Sequence, residues 1–379
     1  MKVLILSCNT GEGHNSASKA VKAQLELLGA QADIEDSLAF LGEGVSKIVS
    51  KTHVALYKYA PWLFGKGYHY LDEHPANGYS VAYVGNALYA NRLKEYILEH
   101  GYDAVVCAHV FPAEALTQIY RKKEEMPFVS FLIHTDYTCY PYTNETRLDY
   151  YFIPCAPVVP QFKKYGIPER KMLVTGIPIA APKEDTMTRA QARASLGLPE
   201  KGPMVLLMSG SMGVGPTEEL ALALARRLPK NGRIITLCGN NEALKENLES
   251  YRSSKILPLG FTHRVGAYMD ACDVLVTKGG GLTTTEAAAK GMPLVHIDAI
   301  PGCETHNVRL FSQEGMSICC KTVPQTANAV VRLLRDPQLR RDMVARQKAT
   351  INPNAARDIA LQVLEKCKEK QEAMAWESQ

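Results

Sequence analysis

The chain has 379 residues, 46% of them hydrophobic and 22% charged, with a formal net charge of +4. That length exceeds one ordinary core and suits two domains, and the apolar-to-charged balance excludes a disordered chain. The mild charge, without any Lys/Arg run, excludes a nucleic-acid arm, so no nucleic-acid partner is expected.

Lys2, Val3-Leu4-Ile5-Leu6 and Cys8 look superficially like a lipoprotein leader, but the apolar run is too short and leads into a Gly-rich turn. Val3–Ser7 is therefore read as a strand, and Ser16–Leu28 as a helix with Val21, Leu25 and Leu28 on one side. Ala32–Ile34 is a candidate second strand, and Ala104–Ala108, Phe128–Ile133 and Tyr151–Ile153 are buried-strand material. The Gly- and Pro-rich stretch Thr175–Pro182 ends this series, followed by the polar segment Lys183–Arg193 and a turn at Gly197–Pro199. The pattern then restarts with strands at Met204–Met208, Arg233–Leu237, Ile256–Pro258, Val274–Thr277 and Pro293–Ile297, and a helix at Thr217–Leu228. A final helix over Ala355–Lys370 is expected to pack back across a cleft. Two strand-helix series imply an α/β protein of two Rossmann-like domains, with parallel sheets facing that cleft. The expected division is 1–178, a linker at 179–198, 199–350, and the last helix within 351–379. No apolar stretch is long enough to span a bilayer, so any membrane contact is peripheral. The ten cysteines stand singly apart from Cys319-Cys320, with no C-x-x-C pair. They are read as reduced, mostly buried thiols of a cytosolic protein, with no zinc site.

Four loops after strand ends carry the candidate chemistry. Val274–Thr277 leads into Lys278-Gly279-Gly280-Gly281 and a helix from near Thr283 to Lys290. Glycines let a backbone approach phosphate, the helix N-terminus favours an anion, Thr283 and Thr284 add hydroxyls, and Glu286 is placed to accept ribose hydroxyls. By itself this is equally a plain strand-to-helix turn with Glu286 as a capping acid. Met208-Ser209-Gly210-Ser211-Met212-Gly213 is a second glycine loop suited to a diphosphate. Gly260-Phe261-Thr262-His263 is suited to a base, with Phe261 or Val265 against its ring, and Glu304 and Asn307 sit in the loop after the last strand. Four loops converging on strand C-terminal ends favour a nucleotide-sugar site.

The run GFTHRVGAYMDACDVLVTKGGGLTTTEAAAKGMPLV, with LLMSGSMGVG before it and PGCETHN after it, resembles the C-terminal domain of glycosyltransferase family 28. SCNTGEGHNSAS, HVFPAEAL and TGIPI extend the resemblance to the monogalactosyldiacylglycerol synthase and processive diacylglycerol β-glucosyltransferase branch. The resemblance implies a GT-B fold, a UDP-sugar used as substrate rather than cofactor, inversion at the anomeric carbon, and no obligatory active-site metal. It implies a hexose, glucose or galactose, passed to diacylglycerol or a related lipid. His14 takes the place of the family's general base, in a helix-start position that biases imidazole toward its neutral form. Asp136, where the family also has an acid, is a possible partner of that base or an Asx-turn residue. Gly210, Ser211, Gly213, Phe261, Thr262, Val265, Gly280, Gly281, Leu282, Thr283, Thr284, Glu286, Glu304 and Asn307 are donor-site candidates. Gly13, His109 and Trp62 are acceptor-site candidates.

Two departures from the family pattern stand out. Cys303 replaces a Gln expected near the donor sugar, and Tyr137-Thr138-Cys139-Tyr140-Pro141-Tyr142 replaces a segment carrying His and Trp. From Gly44 to Leu71 there is no acid, and Lys47, Lys51, Lys58 and Lys66 alternate with Tyr57, Tyr59, Trp62, Phe64, Tyr68 and Tyr70. That suits an anionic membrane surface at the inner face of the cell membrane, or an ordinary helix burying its aromatics. Rival readings are N-acetylglucosamine transfer to a polyprenyl-linked cell-wall precursor, a UDP-sugar 2-epimerase, and a nucleotide-sugar-binding regulatory protein. A nicotinamide oxidoreductase is also weighed for Ser7–His14 with Asp33, Glu35 and Asp36, but the third glycine of that fingerprint is missing.

Overall fold

The computed structural model describes residues 1–8, 12–42, 44, 80–120, 126–180, 187–210, 215–297 and 302–377. It divides into two compact units, Met1–Ala181 with Asn352–Gln379, and Pro182–Ile351.

The first unit holds a parallel sheet of β1 (Lys2–Ser7), β2 (Gln31–Asp36), β3 (Ala104–Cys107), β4 (Val129–Ile133), β5 (Tyr150–Ile153) and β6 (Met172–Val174). Their spatial order is β2-β1-β3-β4-β5-β6. Strands β3 and β4 are buried at every position, as continuous Val/Ile/Leu/Phe runs demand when helices cover both faces. The helices are α1 (Glu12–Leu27), α2 (Val81–His100), α3 (Val110–Ile119) and α4 (Val159–Lys164). The last helix, Ala355–Glu377, extends beyond the expected Lys370. Its Ile359, Ala360, Val363 and Cys367 join Val3, Ile5, Val21, Leu25, Phe131 and Phe152 in one core. Each large aliphatic or aromatic side chain buried there stabilises the fold by about 1.5–3 kcal/mol, so this helix is integral to the first unit.

The second unit holds β7 (Met204–Met208), β8 (Arg233–Leu237), β9 (Ile256–Leu259), β10 (Val274–Thr277), β11 (Leu294–Ile297) and β12 (Ile318–Cys320). All are parallel, in the order β12-β11-β10-β7-β8-β9. Its helices are α5 (Arg189–Ser195), α6 (Thr217–Arg227), α7 (Glu242–Ser250), α8 (Val265–Ala271), α9 (Gly281–Ala289), α10 (Cys303–Gln313), α11 (Val323–Arg335) and α12 (Pro337–Thr350).

Three features differ from the sequence reading. Strands β6 and β12 each add a three-residue edge strand, too short and too exposed to leave a buried apolar run. The described part of the polar stretch read as linker forms α5, opened by a capping box between Thr188 and Gln191. Its Arg193 is buried and donates to Asp273 at 3.2 Å and to the Ala271, Glu200 and Gly202 carbonyls, so the last residue of the polar segment docks this helix into the second unit. Helix α9 starts at Gly281 rather than near Thr283, after Gly280 takes the extended N-cap conformation.

Eight of the ten cysteines are buried, Cys303 is half-buried and Cys319 is exposed. No helix among the described residues is long and apolar enough to cross a membrane.

Candidate active site

In an open parallel sheet, ligands bind beyond the strand C-termini where the strand order reverses. In the first unit that point lies between β1 and β3. The β1 end is tied to α1 by Ser7 Oγ donating to Asn15 Oδ1 at 2.6 Å. One residue before, in the first turn of α1, stands His14. Its Nδ1 lies 2.8 Å from the Ala108 carbonyl just after β3. A carbonyl only accepts, so Nδ1 carries the proton, and in neutral imidazole the lone pair is on Nε2. Thr135 Oγ1, from the loop after β4, stands 3.2 Å from the same Nδ1.

His109 meets His14 edge-on, with ring centroids 4.7 Å apart at 86°. It caps α3, its Nδ1 accepting the Phe111 N–H at 3.2 Å, so its neutral ring has the opposite tautomer. The Tyr140 hydroxyl lies 2.7 Å from Thr135 Oγ1 and 3.3 Å from Asp136 Oδ2. Asp136 thus reaches His14 through Tyr140 and Thr135.

In the second unit the strand order reverses between β7 and β10. The β7 end gives Ser209 and Gly210, and the β10 end gives Lys278-Gly279-Gly280-Gly281. A cavity of about 70 Å³ opens there, lined by Met208, Ser209, Thr217 and Lys278 among others. Gly210 has φ +76°, and a Cβ there would lie 3.0 Å from Lys278 Cε. Lys278 Nζ in turn pairs with Glu304 Oε1 at 3.0 Å, both side chains largely buried. Gly279 allows a closer approach still, since a Cβ would lie 2.4 Å from Val308 Cγ2 and 2.6 Å from the Glu304 carbonyl. Helix α9 then presents its first amides with no side-chain cap. Burial pushes the Glu286 carboxyl up to about 7, with the Lys290 charge opposing. Lys290 also pairs with Asp270 at 2.7 Å, joining the helices that carry Val265 and Glu286. Phe261 is exposed, with its ring edge-on to His263, and Thr262 Oγ1 accepts the Arg264 N–H.

Several expected site residues are placed otherwise. Thr284 is fully buried, its hydroxyl 3.2 Å from His296 Nε2 rather than on the ligand side of α9. Asn307 is also fully buried, and its Nδ2 donates to the Gly279 carbonyl at 2.7 Å. Its observed bond holds the glycine loop, where a sugar contact was expected. Gly280 caps α9, Gly281 is buried in its first turn, and Leu282, Thr283 and Glu286 share the half-buried face of the helix. Gly13 lies in the first turn of α1 beside His14. Ser211, Gly213, Trp62 and the four lysines of the basic aromatic segment lie outside the described residues. The site candidates read from the sequence did not include Thr135, Tyr140 or Lys278, while Gly279 stood in the glycine loop read as approaching a phosphate. For Lys278 a signal existed, a cation directly before three glycines at a strand end. For Tyr140 the signal was its segment's departure from the family pattern, which marks the segment and not the residue.

Among the described residues no cluster of three or more His, Cys, Asp or Glu side chains is arranged to hold a metal ion.

Two six-stranded parallel sheets with helices, one in each unit, are the architecture found in GT-B glycosyltransferases. The crystal structure of MurG from Acinetobacter baumannii superposes with a TM-score of 0.64 at 17% identity, covering 96% of this chain and 99% of that one. The monogalactosyldiacylglycerol (MGDG) synthase model matches residues 14–179, and the glycosyltransferase family 28 C-terminal domain model matches residues 204–363. Together the two matches span most of the chain and make it similar to glycosyltransferase family 28, in its monogalactosyldiacylglycerol synthase and processive diacylglycerol β-glucosyltransferase branch. It is 26% identical to the processive diacylglycerol beta-glucosyltransferase of Bacillus subtilis, over 88% of this chain and 87% of that one. A probable monogalactosyldiacylglycerol synthase 2 of Oryza sativa subsp. indica is 28% identical, over 87% of this chain and 73% of its own.

Proposed function

We propose that this enzyme transfers a hexose from a UDP-sugar to diacylglycerol with inversion, forming a membrane glycolipid. The observation that carries the reading is the His14 imidazole, whose Nδ1–H is held by the Ala108 carbonyl so that Nε2 bears the lone pair. The free hydroxyl of the acceptor gives its proton to Nε2 as its oxygen attacks the anomeric carbon. The bond from that carbon to the phosphate oxygen breaks, and its electron pair leaves with UDP. The α9 amides and Lys278 meet the charge growing on the diphosphate, so no metal is required. Glu286 accepts the ribose hydroxyls, Phe261 and Val265 flank the base, and Glu304 contacts the sugar.

Glucose is the favoured sugar, on the likeness to the Bacillus subtilis enzyme. Cys303, where the family resemblance implies Gln, keeps galactose in the test. Membrane contact is assigned to the basic aromatic segment, peripherally at the inner face. Exposed Val84 and Leu88, one helical turn apart near the start of α2, add apolar surface just after it.

The test incubates purified protein with UDP-glucose, UDP-galactose or UDP-N-acetylglucosamine and either diacylglycerol or a polyprenyl-linked acceptor, with products identified by mass spectrometry. Hexosyl-diacylglycerol is the expected product. N-acetylglucosaminyl transfer to the polyprenyl acceptor alone, or epimerised donor without acceptor, overturns the reading. His14→Ala should lower kcat by about 10²–10⁴-fold with UDP binding intact. Flotation with anionic vesicles should be lost when Lys47, Lys51, Lys58 and Lys66 are replaced.

A further inference from the structure

The loop after β4 contains a hydrogen-bonded chain whose directions are fixed by its two ends. At one end the Ala108 carbonyl, 2.8 Å from His14 Nδ1, can only accept, so the imidazole donates. At the other the Asp136 carboxylate, in its ionised form, also only accepts, so the Tyr140 hydroxyl 3.3 Å away donates to it. Tyr140 has a single hydroxyl proton. The Thr135 hydroxyl, 2.7 Å from it, must therefore donate to Tyr140 and turn a lone pair toward His14 Nδ1 at 3.2 Å. The Thr135 N–H also donates to the Tyr140 oxygen at 2.7 Å, which completes that oxygen's bonding. Every proton in the series points away from His14 and toward the carboxylate.

The tyrosine ring is fixed independently. It is 8% exposed and stacks on His134 with centroids 5.0 Å apart at 21°. His134 is itself held edge-on against Phe162 at 4.5 Å. A ring held by stacking and a hydroxyl with every bond used cannot reorient at low cost. Tyr140 also lies in the segment where this chain departs from the family's His- and Trp-bearing pattern, so the device belongs to this chain's own sequence.

We infer that Tyr140 is a positioning residue, relaying the Asp136 carboxylate through Thr135 to His14 Nδ1 and stabilising the imidazolium formed when Nε2 takes the acceptor's proton. No second proton moves. Nδ1 keeps its hydrogen, and the hydrogen bonds shorten as positive charge appears on the ring. The inference rests on His14 being the base. Among the described residues, the titratable side chains linked to this ring are Tyr140 and Asp136 from the loop after β4 and His109 from the end of β3. Glu12 precedes it on α1. His109 is unaltered in every variant below, so its contribution cancels in the comparison.

The experiment uses the full chain with Tyr140→Phe, Asp136→Asn, their combination, and His14→Ala. Phenylalanine keeps the stacked ring and removes only the relay oxygen. Tyr140→Phe is expected to lower kcat about 10-fold, less than loss of the base itself, with the donor KM unchanged. Because the relay favours the protonated ring, its loss lowers the imidazole pKa, and the acid limb of the kcat profile moves to lower pH. Asp136→Asn moves it the same way, and the combined variant is no worse than the worse single change. Nuclear magnetic resonance of isotope-labelled histidine reads the same titration without turnover, and His14 should protonate at lower pH in Tyr140→Phe. If that variant does not fold, Asp136→Asn carries both readouts with Tyr140 in place. Wild-type kcat, acid limb and imidazole titration in these variants, beside an inactive His14→Ala, overturn the relay and leave the base standing. An active His14→Ala overturns both.

Discussion

Two adjacent glycines in the loop after β10 separate packing from ligand binding. At Gly279 an added methyl would lie 2.4 Å from Val308 Cγ2, 2.6 Å from the Glu304 carbonyl oxygen and 3.3 Å from its carbon. Two of those atoms are backbone of α10, so relief requires the helix or the loop to shift. The shift also strains the buried bond from Asn307 Nδ2 to the Gly279 carbonyl. Overpacking costs about 1–3 kcal/mol and loss of a buried hydrogen bond about 1–3, so Gly279→Ala should destabilise the second unit by about 2–6 kcal/mol. At Gly280 an added methyl meets nothing within 4 Å, and φ is −66°, which any residue adopts. Gly280→Ala should therefore cost less than about 1 kcal/mol in folding, the scale of an N-cap change. If phosphate lies against this backbone, the same methyl occupies its place. UDP affinity should then fall at least about tenfold, or about 1.4 kcal/mol. Denaturant unfolding and titration calorimetry with UDP measure the two quantities on the same samples. Wild-type UDP affinity in Gly280→Ala would refute the phosphate cradle, and wild-type stability in Gly279→Ala would refute the packing account.

Lys278→Met should weaken UDP binding by about tenfold or more and destabilise the fold by taking the cation away from the largely buried Glu304 carboxylate; adding Glu304→Gln should restore stability, measured by unfolding, but not affinity, measured by calorimetry. Burial raises the Glu286 carboxyl from 4.5 to about 7, so the stability it confers is complete below the unfolded value and is lost as pH rises through 7. Ribose hydroxyls require the ionised carboxylate, so calorimetric UDP affinity should rise between about pH 6 and about pH 8, and Glu286→Gln should flatten that rise. Thr284→Val should leave UDP affinity unchanged while lowering unfolding stability by about 1–2 kcal/mol, because its hydroxyl is bonded to His296 in the core.

Thr284 and Asn307 also mark the limit of what was legible in the sequence. Short apolar runs gave away ten strands, most plainly β3, β4 and β10, which are buried at every position. Glycines after β1, β7 and β10 marked the loops that the sheet order then places at the two reversal points, since a chain leaving a buried strand toward a ligand needs backbone without side chains. Which residues of α9 face the ligand depends on where the helix begins. Starting from Gly281, the spacing of i, i+3, i+4 and i+7 sends Gly281, Thr284, Thr285 and Ala288 into the core. The same phase keeps Leu282, Thr283 and Glu286 on the other face, so Thr283 and Glu286 belong together and Thr284 does not. Placing the start near Thr283 from side-chain chemistry hid that phase.

The proposed base shows a different kind of limit. A histidine after a glycine turn at the end of β1 is visible in sequence, but its tautomer is set by a carbonyl 94 positions away. Thr135 acts on it from 121 positions away, and Tyr140 acts through Thr135. Those contacts exist because β1, β3 and β4 are sheet neighbours whose C-terminal ends deliver the three loops to one place. Local pattern specifies the strands, while the sheet order makes a backbone carbonyl and a tyrosine into neighbours of the histidine. The chemistry of His14 is therefore encoded less by the residues beside it than by the order in which the strands pair.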